Sequence, residues 1–134
     1  MQMNEIKGSI DTLTRAISIA PDNESYYLGR GIAFALLGEN EAAKADLDMA
    51  IELEPDNAEA LYIRAVVYRR KDRLQEALED LNKAIEIEPV NADYLYNRAI
   101  VLTAMNQTEA AKADFNQGME IDLRDIAGGY DIEV

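Results

Sequence analysis

Apolar residues recur along this chain three and four positions apart, the signature of amphipathic helices. Between Asn57 and Glu88 they form two such stripes in succession, Leu61, Ala65 and Tyr68, then Ala77, Leu81, Ala84 and Ile85, which predicts a helical hairpin. A single further stripe, Ile6, Ile10, Leu13 and Ile17, lies near the amino end. The punctuation between stripes is periodic. Pro21, Pro55 and Pro89 are separated by 34 residues, and each sits in a related string, Ala16 to Asn23, Ala50 to Asn57 and Ala84 to Asn91. Proline ends one helix because it lacks an N–H, and Asn23, Asn57 and Asn91 are placed to accept the first free N–H groups of the next. Gly38, Asp72 and Asn106 recur with the same period at mid-unit, and these residue types tolerate the left-handed backbone of a helix end.

A repeat of this length describes a unit that buries its apolar face by stacking on its neighbours. The residues at fixed offsets resemble a tetratricopeptide repeat (TPR) array. One unit carries Tyr27, Gly31, Phe34, Ala43, Leu47, Ala50 and Pro55, and the next Leu61, Ala65, Tyr68, Ala77, Leu81, Ala84 and Pro89. The third has Leu95, Ala99, Leu102, Ala111 and Phe115, but Gly118 stands at the second alanine and Leu123 at the proline. The resemblance implies an all-α fold, a right-handed superhelix of antiparallel helical hairpins. The expected organisation is one domain over residues 1–127, with a half repeat at 5–23, repeats at 24–57, 58–91 and 92–125, and a flexible tail at 128–134.

Composition narrows the chemistry. The 134 residues are 49% hydrophobic and 29% charged, which suits one folded domain, and they contain no run of 18 apolar residues. With no secretory leader either, a cytoplasmic setting is the expectation. Neither cysteine nor histidine is present, so the usual nucleophile, general base and transition-metal ligands are missing. No catalytic residue, cofactor or metal is assigned, and the Pro-Asp-Asn turns lack the pattern of a calcium loop. A net charge of −13 argues against nucleic acid as a partner.

Two charged patterns stand out. Arg30, Arg64 and Arg98 share the period with Asp46, Asp80 and Asp114, which points to a structural ion pair across each hairpin rather than a ligand-binding arginine ladder. Arg69-Arg70-Lys71-Asp72-Arg73 concentrates 4 of the 13 basic residues and is either an anchor for a ligand carboxylate or a basic helix end favoured by the helix dipole.

The TPR resemblance implies that the first helices line a concave face for an extended peptide or a partner helix. Mapped onto this chain, the groove columns are Leu28, Tyr62 and Tyr96, then Ile32, Val66 and Ile100, then Leu36, Arg70 and Ala104, flanked by Ile63, Asn97, Arg69 and Thr103. Some relatives carry a two-carboxylate clamp for chaperone tails, but here its positions hold Leu28, Ile32, Ile63, Asp93 and Asn97, so a more hydrophobic ligand is expected. The expected function is a non-catalytic scaffold or adaptor for a protein or peptide partner. The alternatives are a self-associating module, a homodimer through uncapped end helices, and a segment of a longer array. The closing residues Tyr130 to Val134 alternate apolar and acidic side chains and suit either disorder or insertion into a neighbour's groove.

Overall fold

Each asparagine that follows a proline turn opens a helix. In the computed structural model, which describes residues 2–129, the Asn23, Asn57 and Asn91 side chains accept the backbone N–H groups of Ser25, Ala60 and Tyr94 at 3.0, 3.0 and 3.3 Å. They start α2 (Glu24–Leu36), α4 (Ala58–Arg70) and α6 (Ala92–Ala104), and α1 (Met3–Ile19) precedes them. The three capped helices also end alike. Gly38, Asp72 and Asn106 have φ of 76°, 59° and 63°, as the sequence predicts. The residue after each donates back across the turn, Glu39 to Phe34 O, Arg73 to Tyr68 O and Gln107 to Leu102 O, satisfying carbonyls that the helix leaves free. The chain then reverses into α3 (Asn40–Leu53), α5 (Leu74–Ile87) and α7 (Thr108–Gly129).

The hairpins α2/α3, α4/α5 and α6/α7 pack tightly, and α1, α3 and α5 each lie against the following first helix. The first helices also meet one another, α2 with α4 and α4 with α6, whereas among the described residues the second helices make no such contacts. A stack whose helices converge on one side and splay on the other must curve. The result is an all-α superhelical solenoid with α2, α4 and α6 on its inner side. Leu47, Leu61, Leu81 and Leu95 are almost fully buried at the successive interfaces. Small residues permit the close approach: a Cβ on Gly31 would lie 3.1 Å from Leu47 Cγ.

The arginine–aspartate pairs form in every hairpin, and each is bidentate. Arg30 donates Nε and Nη2 to Asp46 at 2.8 and 2.7 Å, Arg64 to Asp80 at 2.7 and 2.7 Å, and Arg98 to Asp114 at 2.6 and 2.7 Å. The aspartates are 5–6% exposed. The remaining Nη1 reaches back to the preceding second helix, to Thr14 Oγ1, Asp48 Oδ1 and Asn82 Oδ1 at 3.2, 3.0 and 3.2 Å. Each guanidinium therefore joins three helices. These hydrogen bonds hold all three arginine pKa values above their usual value, against the opposing effect of burial.

The third unit departs from the pattern at its end. α3 and α5 stop at Leu53 and Ile87, before Pro55 and Pro89, but α7 passes Leu123 and runs on through Gly128 and Gly129. The glycine pair assigned by sequence to the start of a tail is thus helical, because no proline or left-handed residue intervenes. Residues 130–134 of that tail lie outside the described residues.

The ladder makes a prediction about stability. Arg64→Ala leaves Asp80 buried without its partner and should cost about 3 kcal/mol, read as a lower urea midpoint at unchanged slope. Replacing both residues, Arg64→Met with Asp80→Leu, should recover most of that loss. A single variant as stable as the parent would show that the pair contributes little.

Candidate functional site

The concave face is built from the inward sides of α2, α4 and α6, and hydrogen bonds tie these helices together across it. Asn97 of α6 donates Nδ2 to the Tyr62 hydroxyl of α4 at 3.2 Å and to its own Asp93 carbonyl at 2.9 Å. Arg70 of α4 donates Nη1 to the Ala35 carbonyl of α2 at 2.7 Å. That carbonyl lies in the last turn of α2, where the helix dipole favours a cation. Tyr62 packs its ring on Tyr94, with centroids 4.8 Å apart. Burial raises the pKa values of both, and for Tyr94 the neighbouring Glu88 adds to the effect.

The residues assigned to the groove from sequence therefore divide. Leu28 and Ile63 pack against the core cluster around Leu47 and Val67, and Tyr62 packs against the clusters of the second and third hairpins. Arg70 and Asn97 bridge adjacent first helices. Ile32, Val66 and Arg69 are half-buried, and Leu36 is 58% exposed. Within the basic run, Lys71 pairs with Glu41 and Arg73 with Glu76. Among the described residues, Arg69 is the one cation of the run whose side chain makes neither an ion pair nor a hydrogen bond. The run is thus neither a uniform anchor nor a simple dipole cap: Arg70 caps the preceding repeat, and Arg69 is half-buried with its donors unused among the described residues.

Tyr96 and Ile100 belong to a different surface. Tyr96 turns towards α7, donating its hydroxyl to Asp122 at 2.5 Å and stacking on Phe115 with centroids 5.4 Å apart. A Cβ on Gly118 would lie 2.5 Å from the Tyr96 ring, so the glycine at the family's alanine position makes room for the tyrosine. Tyr96, Ile100, Thr103, Lys112 and Phe115 line an apolar hollow of about 410 Å³ between α6 and α7. Sequence reasoning missed this hollow, although the apolar spacing of Phe115, Met119, Leu123 and Ile126 along α7 was available as a signal. Among the described residues there is no cluster of acidic side chains suited to a metal ion, and no helix is long and apolar enough to cross a membrane.

Two family models, each described as a tetratricopeptide repeat, match residues 28–92 and 81–113. This chain belongs to the tetratricopeptide repeat family. Solved structures share the fold. A crystal structure of MamA is 22% identical, covers 87% of this chain and 68% of its own, and superposes with a TM-score of 0.81. A second MamA crystal structure is 21% identical over 96% of this chain and 69% of its own, with a TM-score of 0.82. MamA from Desulfovibrio magneticus RS-1, from residue 41 to its end, is 16% identical over 90% and 68%, with a TM-score of 0.83. At these identities the likeness concerns the fold. A comparison with curated proteins finds no match.

The Tyr96–Asp122 contact gives this TPR chain a titration signature. The hydrogen bond to Asp122, aided by desolvation and the negative charge, pushes the Tyr96 pKa from 10.0 up to about 12. The folded state holds this proton more tightly, so the associated stability is complete below pH 10 and lost as pH rises towards 12. Tyr96→Phe should remove one late-ionising tyrosine from the ultraviolet titration and flatten the fall in stability over that interval. An unchanged titration would mean that the bond does not persist in solution.

Proposed function

We propose that this protein is a non-catalytic interaction scaffold whose concave face receives an extended peptide or helix from a protein partner. The observation that carries this reading is the row of side chains on the inner helices that the hairpin core leaves accessible. Leu36 is 58% exposed, Ile32 and Val66 are half-buried, and Arg69, without an ion pair among the described residues, lies in the last turn of α4. An apolar strip with one available cation suits a ligand with apolar side chains and a carboxylate, either a chain end or an acidic residue. The bridging Tyr62, Asn97 and Arg70 hold the first helices in fixed relation, so the strip is formed before a ligand arrives and little ordering entropy opposes binding. The MamA structures support the solenoid geometry of this reading and leave the partner to be found.

Selection of a displayed random-peptide library on the immobilised protein tests the proposal. Selected peptides should be apolar with an acidic group, and should lose roughly tenfold in affinity, about 1.4 kcal/mol, on Leu36→Glu. Arg69→Glu should weaken the same peptides, and more so at low salt. Neither residue carries a core contact or bridge, so both variants should keep their helicity. Peptides that bind both variants as tightly as the parent would remove the groove as the working surface.

A further inference from the structure

The hollow between α6 and α7 has counterparts within the same molecule, and these show what covers such a surface. Leu47 and Leu81 are the residues equivalent to Phe115 in the first two hairpins. They are 0% and 1% exposed, because α4 and α6 lie over them, whereas Phe115 is 51% exposed. Among the described residues, the surface is therefore that of a helix–helix interface with one side uncovered. Ile100, 48% exposed, forms its other wall.

α7 also carries a partner for such a surface. Phe115, Met119, Leu123 and Ile126 are 51%, 44%, 53% and 56% exposed, and their spacing of four, four and three puts them along one side of the helix. Phe115 belongs both to this stripe and to the hollow. Leu123 and Ile126 lie beyond the level at which α3 and α5 end, so neither earlier second helix carries a counterpart for them. From Lys112 to Ile126 the side extends about 21 Å, at the helical rise per residue.

We propose that this side of α7 is the two-fold interface of a homodimer, in which α7 pairs antiparallel with α7 of a second copy about Met119. The pattern is self-complementary in that register. Met119 meets its own copy, Phe115 meets Leu123, and Lys112 falls beside Ile126 with Asp122 and Asp125 within a turn of it. The one lysine thus meets carboxylates in an interface between two acidic chains. Lys112 can do so by exchanging partners: it is 66% exposed, and its present ion pair with the 90% exposed Glu109, at 3.6 Å, is a loose surface pair. An isologous contact of this kind closes on itself and stops at two copies. It uses a surface separate from the groove on the first two hairpins, so a dimer would present two such grooves.

The absence of cysteine makes the test direct. Met119→Cys should form an intermolecular disulfide on mild oxidation roughly tenfold faster than Ile19→Cys, which is more accessible, 84% exposed against 44%, but lies on α1 at the other end of the solenoid. A mixture of Phe115→Cys and Leu123→Cys chains should cross-link faster than either chain alone. Wild type should sediment towards twice the monomer mass as its concentration rises, and Met119→Glu, with unchanged helicity, should remain monomeric. Cross-linking of Met119→Cys no faster than Ile19→Cys, faster linking of Phe115→Cys alone than of the mixture, or a wild type that stays monomeric at about 1 mM would each overturn the proposal.

Discussion

The repeated Arg–Asp pair is the contact on which the rest of the architecture depends. Asp46, Asp80 and Asp114 are buried carboxylates, and a buried charge is tolerated only with well-aligned donors. The planar guanidinium supplies two parallel N–H groups to each and still has a third to offer. Because that third donor reaches the previous repeat, the geometry inside a hairpin is coupled to the geometry between hairpins. An apolar interface of alanine and leucine is forgiving of small rotations, whereas a bidentate pair is directional.

Directional contacts repeated at each step also explain why the inner face is orderly. The first helices converge, and their facing side chains must either fill the gap or remain available. Tyr62, Asn97 and Arg70 fill it, through a ring stack, an amide bridge and a helix cap. Leu36 and Arg69 lie in the last turns of α2 and α4 and, among the described residues, form no bridge of this kind. Bridged and accessible side chains on this face are thus distributed residue by residue rather than helix by helix.

The third hairpin shows what one missing proline does. Where Pro55 and Pro89 stop their helices, Leu123 lets α7 continue. The same substitution that removes the stop adds an apolar side chain to an exposed stripe. Gly118 in place of alanine lets Tyr96 fold against α7, and the hydroxyl bond to Asp122 then fastens the extended helix to α6. The features that make this unit an imperfect repeat by sequence are those that give it a distinct surface.

The sequence by itself determined the helical hairpins, the junctions between them and the ion-pair partners, though not the end of α7, since each rests on local chemistry repeated every 34 residues: proline and asparagine at helix junctions, left-handed residues at the turns, and arginine and aspartate in constant register. The period of Thr14, Asp48 and Asn82 was equally present, but nothing in a linear pattern assigns a third acceptor to an arginine. Only the tertiary structure decided which groove residues are available. Tyr62 and Tyr96 occupy equivalent positions in successive repeats, yet one is bridged to a neighbouring first helix by Asn97 and the other turns to α7, where Gly118 makes room for it. Accessibility depends on what lies across an interface, and a repeat read alone does not contain its neighbour.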